Sequence, residues 1–568
     1  MAATMENQVA PEGPSGPDTS KDKSQVHFVE TAEDDAHDAD DLQKTGTVDA
    51  RRAAEGTLLE HEMPLMEALR KYWKASAWSM FVSLCVVMRA YDIEITGNFF
   101  ALPAFQRRFG EVLKGHGYQV PTKWQVAMGM GAIVGQVIGA WACAIPMDRL
   151  GRRKTLMLYL MVTSGLVFMQ VFAPNIGVLT ASMYLQGIIW GGYHVIAPAY
   201  ASEVLPLRLR YFMTGTANLS YVIGQLLQTG ITRAFVNWDS DWAWRTPYAI
   251  QWVWPTILLF GLIWCPESPW WLIRKNRLED AKKALDQLTS PDMWEQNHNT
   301  LAMMVRTDLY EQELETGATY RDCFSSSNGN RRRLEICSML FIIQNFSGNP
   351  VGFAAYLFEQ VGLSTENAFN MSIGLMSMNL IGSLLCAFPL TWFGRRTCWL
   401  FSLCYAQIIL WPVALMCFAP NYKSNHTYAW VQSGMLISMQ LSYALTIGPL
   451  GFIISSDTPS TKLRAKTLSL TATFNGATYL ILTILGPYLL NPGALNAGAK
   501  MEFLFAGVSV FSLIWSYFRL PETKGRTYEE QDWLFSNNVP TKKFKNYVVP
   551  IEGACGEEQV KSEKVATA

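Results

Sequence analysis

The chain has 568 residues, of which 50% are hydrophobic and 16% charged, with a formal net charge of −1 at pH 7. Ordinary soluble domains carry about 25% charged residues, so the deficit points to a membrane protein and away from a soluble one. The near-neutral balance offers no basic excess for a nucleic-acid partner.

In chain order, residues 1–60 contain no apolar core segment and carry Pro, Gly, Ser and the acidic run ETAEDDAHDADD. No cleavable signal peptide is expected there, and residues 1–70 are expected to form a disordered cytosolic tail. Apolar stretches of about 20 residues, the length that crosses a ~30 Å hydrocarbon layer, then recur. They lie near 76–104, 124–146, 155–173, 178–200, 212–235, 246–265, 334–358, 367–390, 398–418, 430–453, 467–490 and 501–519. Twelve spans are expected.

The first span contains MRAYDIEITG, residues 88–97, which sets Arg89, Asp92 and Glu94 inside the membrane. An intramembrane carboxylate is costly and marks a substrate or proton path by default. Arg89 precedes Asp92 by three residues, on the same helical face, where a salt bridge that disables proton transfer is expected. Glu94 lies two steps of ~100° beyond Asp92 and belongs to a different surface. On the second span, Gly131, Gly135 and Gly139 recur every four residues and make a close-packing face. His194 falls inside the fourth span as a neutral hydrogen-bonding partner or, alternatively, a pH sensor.

Residues 266–333 are polar and include NRLEDAKKALDQL, whose Leu278, Ala281, Leu285 and Leu288 share a helical face. Short cytosolic helices are expected there. The expected partition is a six-helix half over 71–265, this loop over 266–333, a second six-helix half over 334–520 and a cytosolic tail over 521–568. The basic stretches MDRLGRRK, LPLRLR, NRRR, FGRR and STKLRAK all fall on one side if the spans alternate. The positive-inside rule makes that side cytoplasmic, with both termini, and places the glycosylation sequon Asn425-His426-Thr427 outside.

Three landmarks repeat. Gly151-Arg152-Arg153 returns as Gly394-Arg395-Arg396, SEVLPLRLR as SDTPSTKLR, and PESP as PETKG, at offsets of 243, 254 and 255. Two homologous halves around a central site follow, the plan on which many transporters are built. Ten cysteines stand singly with no metal-ligand spacing. No Walker sequence, zinc-protease motif or nucleophile elbow is present, so no enzyme activity, cofactor or ATP-driven transport is expected.

Together MDRLGRR, YASEVLPLRLR, CPESPWWLIRKNR, TIGPLGFIISSDTPSTKLRAKT and LPETKGRTYEEQDWLF resemble the sugar porter family of the major facilitator superfamily. Trp270-Trp271 and NLSYVIGQ are similar to its fungal α-glucoside (maltose-type) permease branch, which includes lactose- and cellobiose-responsive transporter-sensors of filamentous fungi. The resemblance covers about residues 65–548. It implies an all-α membrane protein with the major facilitator fold, two six-helix halves, in the plasma membrane. It implies a cytoplasmic gate of Asp148, Arg152, Arg153, Glu203, Arg210 and Glu267, matched in the second half by Arg395, Arg396, Asp457, Arg464 and Glu522. Thr391 stands where the family has Asp before Gly394, which implies a weaker second latch.

For the sugar, the resemblance implies Asn218, Gln225, Gln344, Asn345, Asn349 and Asn475, with His194 where the branch tends to have Gln. Amides both donate and accept, as sugar hydroxyls require, and they equally serve helix-to-helix bonding. Asn349 sits one residue early relative to the family pattern. Asp92 matches the family's proton acceptor, with Glu94 as the alternative. Arg89, Ala132 and Ala472 replace, in turn, a Glu, an acid and an Arg of the branch.

Two functions stand. One is alternating-access transport of a di- or oligosaccharide such as maltose, cellobiose or lactose, linked to protons through Asp92. The other is a sensor with weak or no transport, signalling through a cytosolic partner on the tails or the 266–333 loop. Both take a sugar and a lipid bilayer as partners.

Overall fold

The computed structural model describes residues 63–113, 117–315, 319–326, 329–347, 353–420, 422, 426–460, 463–495, 497–524, 526, 528–545 and 547. The expected tail over 1–70 therefore lies almost wholly outside the described residues, as do Asn349 and Asn425.

The first half consists of α1 (Trp73–Phe99), α2 (Thr122–Ala142), α3 (Arg152–Val171), α4 (Ile176–Val204), α5 (Leu207–Phe235) and α6 (Val253–Leu262). The second consists of α7 (Asn330–Asn345), α8 (Thr365–Leu385), α9 (Arg395–Leu415), α10 (His426–Leu445), α11 (Arg464–Leu490) and α12 (Met501–Arg519). Each matches one of the twelve expected spans. A two-stranded hairpin pairs Glu111–Leu113 with Gly117–Gln119 before α2.

Among the described residues, seven helices are long and apolar enough to cross a membrane by length and composition alone. Three of the remaining five columns miss that standard for visible reasons. α1 carries Lys74, Arg89, Asp92 and Glu94. The sixth is divided into Trp242–Ile250 and α6, and the seventh into α7 and the short helix Ala354–Val361. Such interruptions survive in a membrane only where protein covers the freed backbone groups. The tenth span, expected to run unbroken, also divides: Thr446 leaves helical geometry at φ −136°, ψ −78°, before Ile447–Asp457.

α2 and α4 touch backbone to backbone. A Cβ added to Gly139 would lie 1.8 Å from the carbonyl oxygen of Ile188, and one on Gly191 2.3 Å from that of Gln136. Only glycine permits so close an approach, as the four-residue spacing leads one to expect.

The loop helix Leu278–Leu288 buries Ala281, Ala284 and Leu285 against a cluster that includes Trp271, Met303 and Met304, and its Leu288 against the main core. After α12, Tyr528–Ser536 packs Leu534 and Phe535, with Val539 and Phe544 beyond, onto the second half.

The hydrogen bonds and ion pairs joining the two halves gather, among the described residues, at the end opposite the Gly-Arg-Arg turns, called here the outer end. Arg233 on α5 pairs with Glu366 and donates to Asn370 Oδ1 at 2.8 Å, both on α8. Asn491 donates to the Val120 carbonyl at 2.9 Å, and the Tyr356 hydroxyl to Gln119 Oε1 at 3.3 Å. Phe100 stacks on Phe353 at 6.4 Å between ring centres. The outer end is closed, and among the described residues the basic end has no comparable clasp.

Candidate functional site: the charged turn of α1 and the cleft beside it

Arg89, Asp92 and Glu94 are all buried on α1, and each is held by a different helix. Asp92 Oδ2 accepts from Trp190 Nε1 at 2.9 Å and from Gln186 Nε2 at 3.3 Å, both on α4. Its Oδ1 has no hydrogen-bond partner. Glu94 Oε2 accepts from Gln225 Nε2 of α5 at 2.9 Å. Arg89 Nη2 donates to Gln136 Oε1 of α2 at 2.7 Å, and its guanidinium lies 5.5 Å from the centre of the Tyr221 ring on α5.

The expected Arg89–Asp92 salt bridge is not formed. Three residues along a helix amount to ~300°, which leaves the two side chains ~60° apart around the axis. That divergence lets Asp92 turn to α4 while Arg89 reaches across to α2 and α5. Glu94 does occupy a separate surface, facing α5.

The sequence reading misses the residues that hold these charges: Gln136, Gln186, Trp190 and Tyr221. Some signal was present. Gln186 and Trp190 stand one turn apart on α4, and Gln136 stands one turn beyond Ala132, the buried position where the resemblance leads one to expect an acid.

The amide candidates separate into pairs. Gln225 is committed to Glu94. Asn345 Nδ2 donates to Asn475 Oδ1 at 2.8 Å, tying α7 to α11, and Gln344 Nε2 donates to the Gly448 carbonyl at 3.1 Å, beyond the break at Thr446. Asn218 shares the face of Tyr221 and Gln225 on α5 and is exposed, as are His194 on α4 and Tyr479 and Ala472 on α11.

His194 and Tyr479 stand within electrostatic reach of Arg89, and Tyr221 and Tyr443 are likewise near Tyr479. Residues at mid-membrane that are exposed and yet close to partners on other helices line an open cleft. Its walls offer phenol rings and amides, the side chains that match the C–H faces and hydroxyls of a sugar.

At the basic end the repeated motifs fold into two copies of one device. Glu267 Oε1 accepts the backbone N–H groups of Arg152 at 2.9 Å and Arg153 at 3.1 Å, so a carboxylate caps the start of α3, where the helix dipole favours negative charge. Glu522 does the same for α9: Oε1 accepts from Arg395 N at 2.9 Å and Oε2 from Arg396 N at 3.1 Å. Arg152 Nη2 pairs with Glu203 Oε1 at 2.7 Å, and Arg395 pairs with Asp457. Arg153 and Arg396 reach back to the carbonyls of Ile263 and Tyr517 at 2.7 and 2.6 Å.

All these contacts lie within a half. Asp148 enters through its backbone, whose carbonyl accepts from Trp271 Nε1 at 3.0 Å, while the residue itself is exposed. Arg464 opens α11. Arg210 lies in α5, and its side chain falls outside what is described.

The family profile "Sugar (and other) transporter" matches residues 78–535. A maltose permease of Saccharomyces cerevisiae is 32% identical over 542 residues, covering 94% of this chain and 87% of that protein. A general alpha-glucoside permease of the same yeast is 32% identical over 541 residues, with 94% and 84% covered. Among solved structures, an inward open conformation of the E. coli xylose transporter superposes with a TM-score of 0.64 at 17% identity, covering 81% of this chain and 99% of that one. A partially occluded inward open conformation gives 0.62 at 17%, with 79% and 98% covered.

Proposed function

We propose that this chain, which belongs to the sugar transporter family, carries a di- or oligosaccharide and couples its passage to protons held at Asp92 or Glu94. The two halves are inferred to open alternately at the outer and basic ends, and the molecule described here has its outer end closed. Its yeast relatives are named for maltose and α-glucosides, which supports the same class of sugar here. The basic motifs support a plasma-membrane orientation with both termini cytoplasmic. The gate roles of the two Gly-Arg-Arg devices belong to the same proposal.

One observation carries the proton reading. Asp92 is held by uncharged donors, Trp190 and Gln186. A carboxyl that must load and release a proton needs a setting of this kind, without a fixed cation bound to it. The case for a silent sensor rests on Arg89, Ala132 and Ala472 disrupting the coupling charges, and of these Arg89 is not paired with Asp92. Arg89 is tied to a neutral amide, so Asp92 can titrate without breaking an ion pair with it.

The test is uptake of labelled maltose, cellobiose and lactose into cells lacking their own disaccharide permeases, with external pH recorded. The native chain should take up sugar with alkalinisation of the medium, and Asp92→Asn together with Glu94→Gln should abolish the pH change. Absence of uptake by a native chain shown to reach the cell surface would overturn the proposal.

A further inference from the structure

The short helix Ala354–Val361, the outer part of the divided seventh span, has two working sides. One carries Tyr356, bonded to Gln119 of the first half, next to Phe353, stacked on Phe100. The other side presents Leu357, Phe358 and Val361 as the roof of a small closed cavity, completed by Val413 of α9, by Gln432, Ser433 and Leu436 of α10, and by Glu502 of α12.

Glu502 is 1% exposed, and neither of its carboxyl oxygens has a hydrogen-bond partner. The polar side chains around it are engaged elsewhere. Gln432 spans the Val413 carbonyl at 2.8 Å and the Tyr422 hydroxyl at 3.0 Å, and Ser433 bonds to the Ala429 carbonyl at 2.8 Å.

Among the described residues no cation lines the cavity. Lys500, two residues before Glu502, lies over the Phe418 ring at 5.8 Å. Of the other titratable groups on the surrounding elements, Cys417 and Tyr422 meet each other beside Gln432, Tyr356 faces the first half, Glu359 accepts from Thr365 Oγ1 at 3.0 Å, and His426 Nδ1 meets the carbonyl of Gly362, at the end of Ala354–Val361, at 3.1 Å.

An ionised carboxylate in such a cavity has no partner to replace its water, at a cost of several kcal/mol. The neutral acid loses far less. Raising the roof admits water and removes the difference, and the same movement pulls Phe353 and Tyr356 away from the first half. A proton on Glu502 and the closed outer end therefore favour each other, as linkage requires of a ligand that binds one state better.

We propose that Glu502 is a proton-binding site, separate from the acids of α1, whose occupancy holds the helix Ala354–Val361 down and the outer end shut. This rests on the two-ended motion proposed above and not on the identity of the sugar.

The test measures the distance between spin labels at Tyr118 and Gln360, across the outer end, in the full chain in proteoliposomes without sugar, from pH 5 to pH 8. The population with a long distance should rise about fivefold across that range in the native protein. It should stay at its pH 5 level throughout in Glu502→Gln and respond again, with a moved midpoint, in Glu502→Asp. Asp92→Asn should keep the native response. A native profile in Glu502→Gln overturns the proposal, as does a response lost in Asp92→Asn alone. Should Glu502→Gln not fold, an unmoved midpoint in Glu502→Asp overturns it equally.

Discussion

The two Gly-Arg-Arg turns repeat a sequence and a hydrogen-bonding pattern, yet they are built to different tolerances. Arg152 and Glu203 show side-chain exposures of 6% and 15%, against 24% and 20% for Arg395 and Asp457. In the first half the Ser268 hydroxyl closes the device by donating to Glu203 Oε2 at 2.5 Å. In the second, Thr523 accepts from Arg395 Nη1 at 3.1 Å, and Lys524 spans the carbonyls of Thr391 and Phe393 at 2.6 and 3.1 Å. Gly151 stands at φ +91°, a conformation other residues rarely adopt, whereas Gly394 has an ordinary φ of −69°.

The motif thus specifies a helix start capped by a distant carboxylate, and the surroundings decide how much depends on it. The second copy is the more exposed one, and the Asp148 that matches Thr391 in the first copy is itself exposed.

The strongest way to break this comparison is to remove the arginines. Arg152→Ala strands Glu203 in a nearly dry site and should cost about 3 kcal/mol, whereas Arg395→Ala should cost about 1 kcal/mol; thermal unfolding of the full chain in detergent reads both. Equal losses would mean that burial does not distinguish the copies.

Next come the glycines. Gly151→Ala forces a strained backbone and sets a Cβ 2.5 Å from Glu267 Oε2, a loss of about 2 kcal/mol. Gly394→Ala requires only that the Glu522 carboxylate swing aside, for about 1 kcal/mol or less. Ser268→Ala should follow at about 1 kcal/mol, with Thr523→Ala smaller because Arg395 keeps Asp457.

The smallest effect is in pH. Burial pushes the Glu267 carboxyl above the ordinary glutamate range, against the pull of N–H bonds from Ser268, Arg153 and Arg152. A raised value means that the folded chain binds this proton more tightly than the unfolded one. The contribution is full below the ordinary glutamate value and fades as pH rises through the raised value. Glu267→Gln should flatten the slope of melting temperature against pH in that window, and an unchanged slope would remove Glu267 from the account.

Much of the architecture is legible in the sequence because it rests on local quantities. Apolar run length marks the spans, glycine spacing on the second span gives the α2–α4 contact, and the repeated turns give the halves. Breaks are harder to see. The segment around Thr446, YALTIGPLG, reads as continuous apolar sequence, and only the fit of Gln344 to the carbonyl of Gly448 shows what the interruption serves.

The candidate site was legible in kind and not in pairing. Arg89 and Asp92 are neighbours in sequence, and a local rule joins them. Gln136 and Trp190, which in fact hold them, lie 47 and 98 residues away. Tyr221, Tyr443 and Tyr479 escaped notice because a tyrosine in an apolar helix looks the same whether it fills a core or faces a cleft.

The glycine contact between α2 and α4 has a consequence for those pairings. The acceptor for Arg89 sits on α2 and the donors to Asp92 sit on α4, and along Gly135, Gly139, Gly187 and Gly191 these two helices meet backbone to backbone. Flexible side chains at a helix interface act as shims that absorb small errors of position. Along that stretch there are none, so the spacing between the two sockets is set by direct backbone contact. Movement of this half as a body, or of α5 and the second half, leaves both grips as they are, whereas the grip on one charge cannot widen without altering the grip on the other.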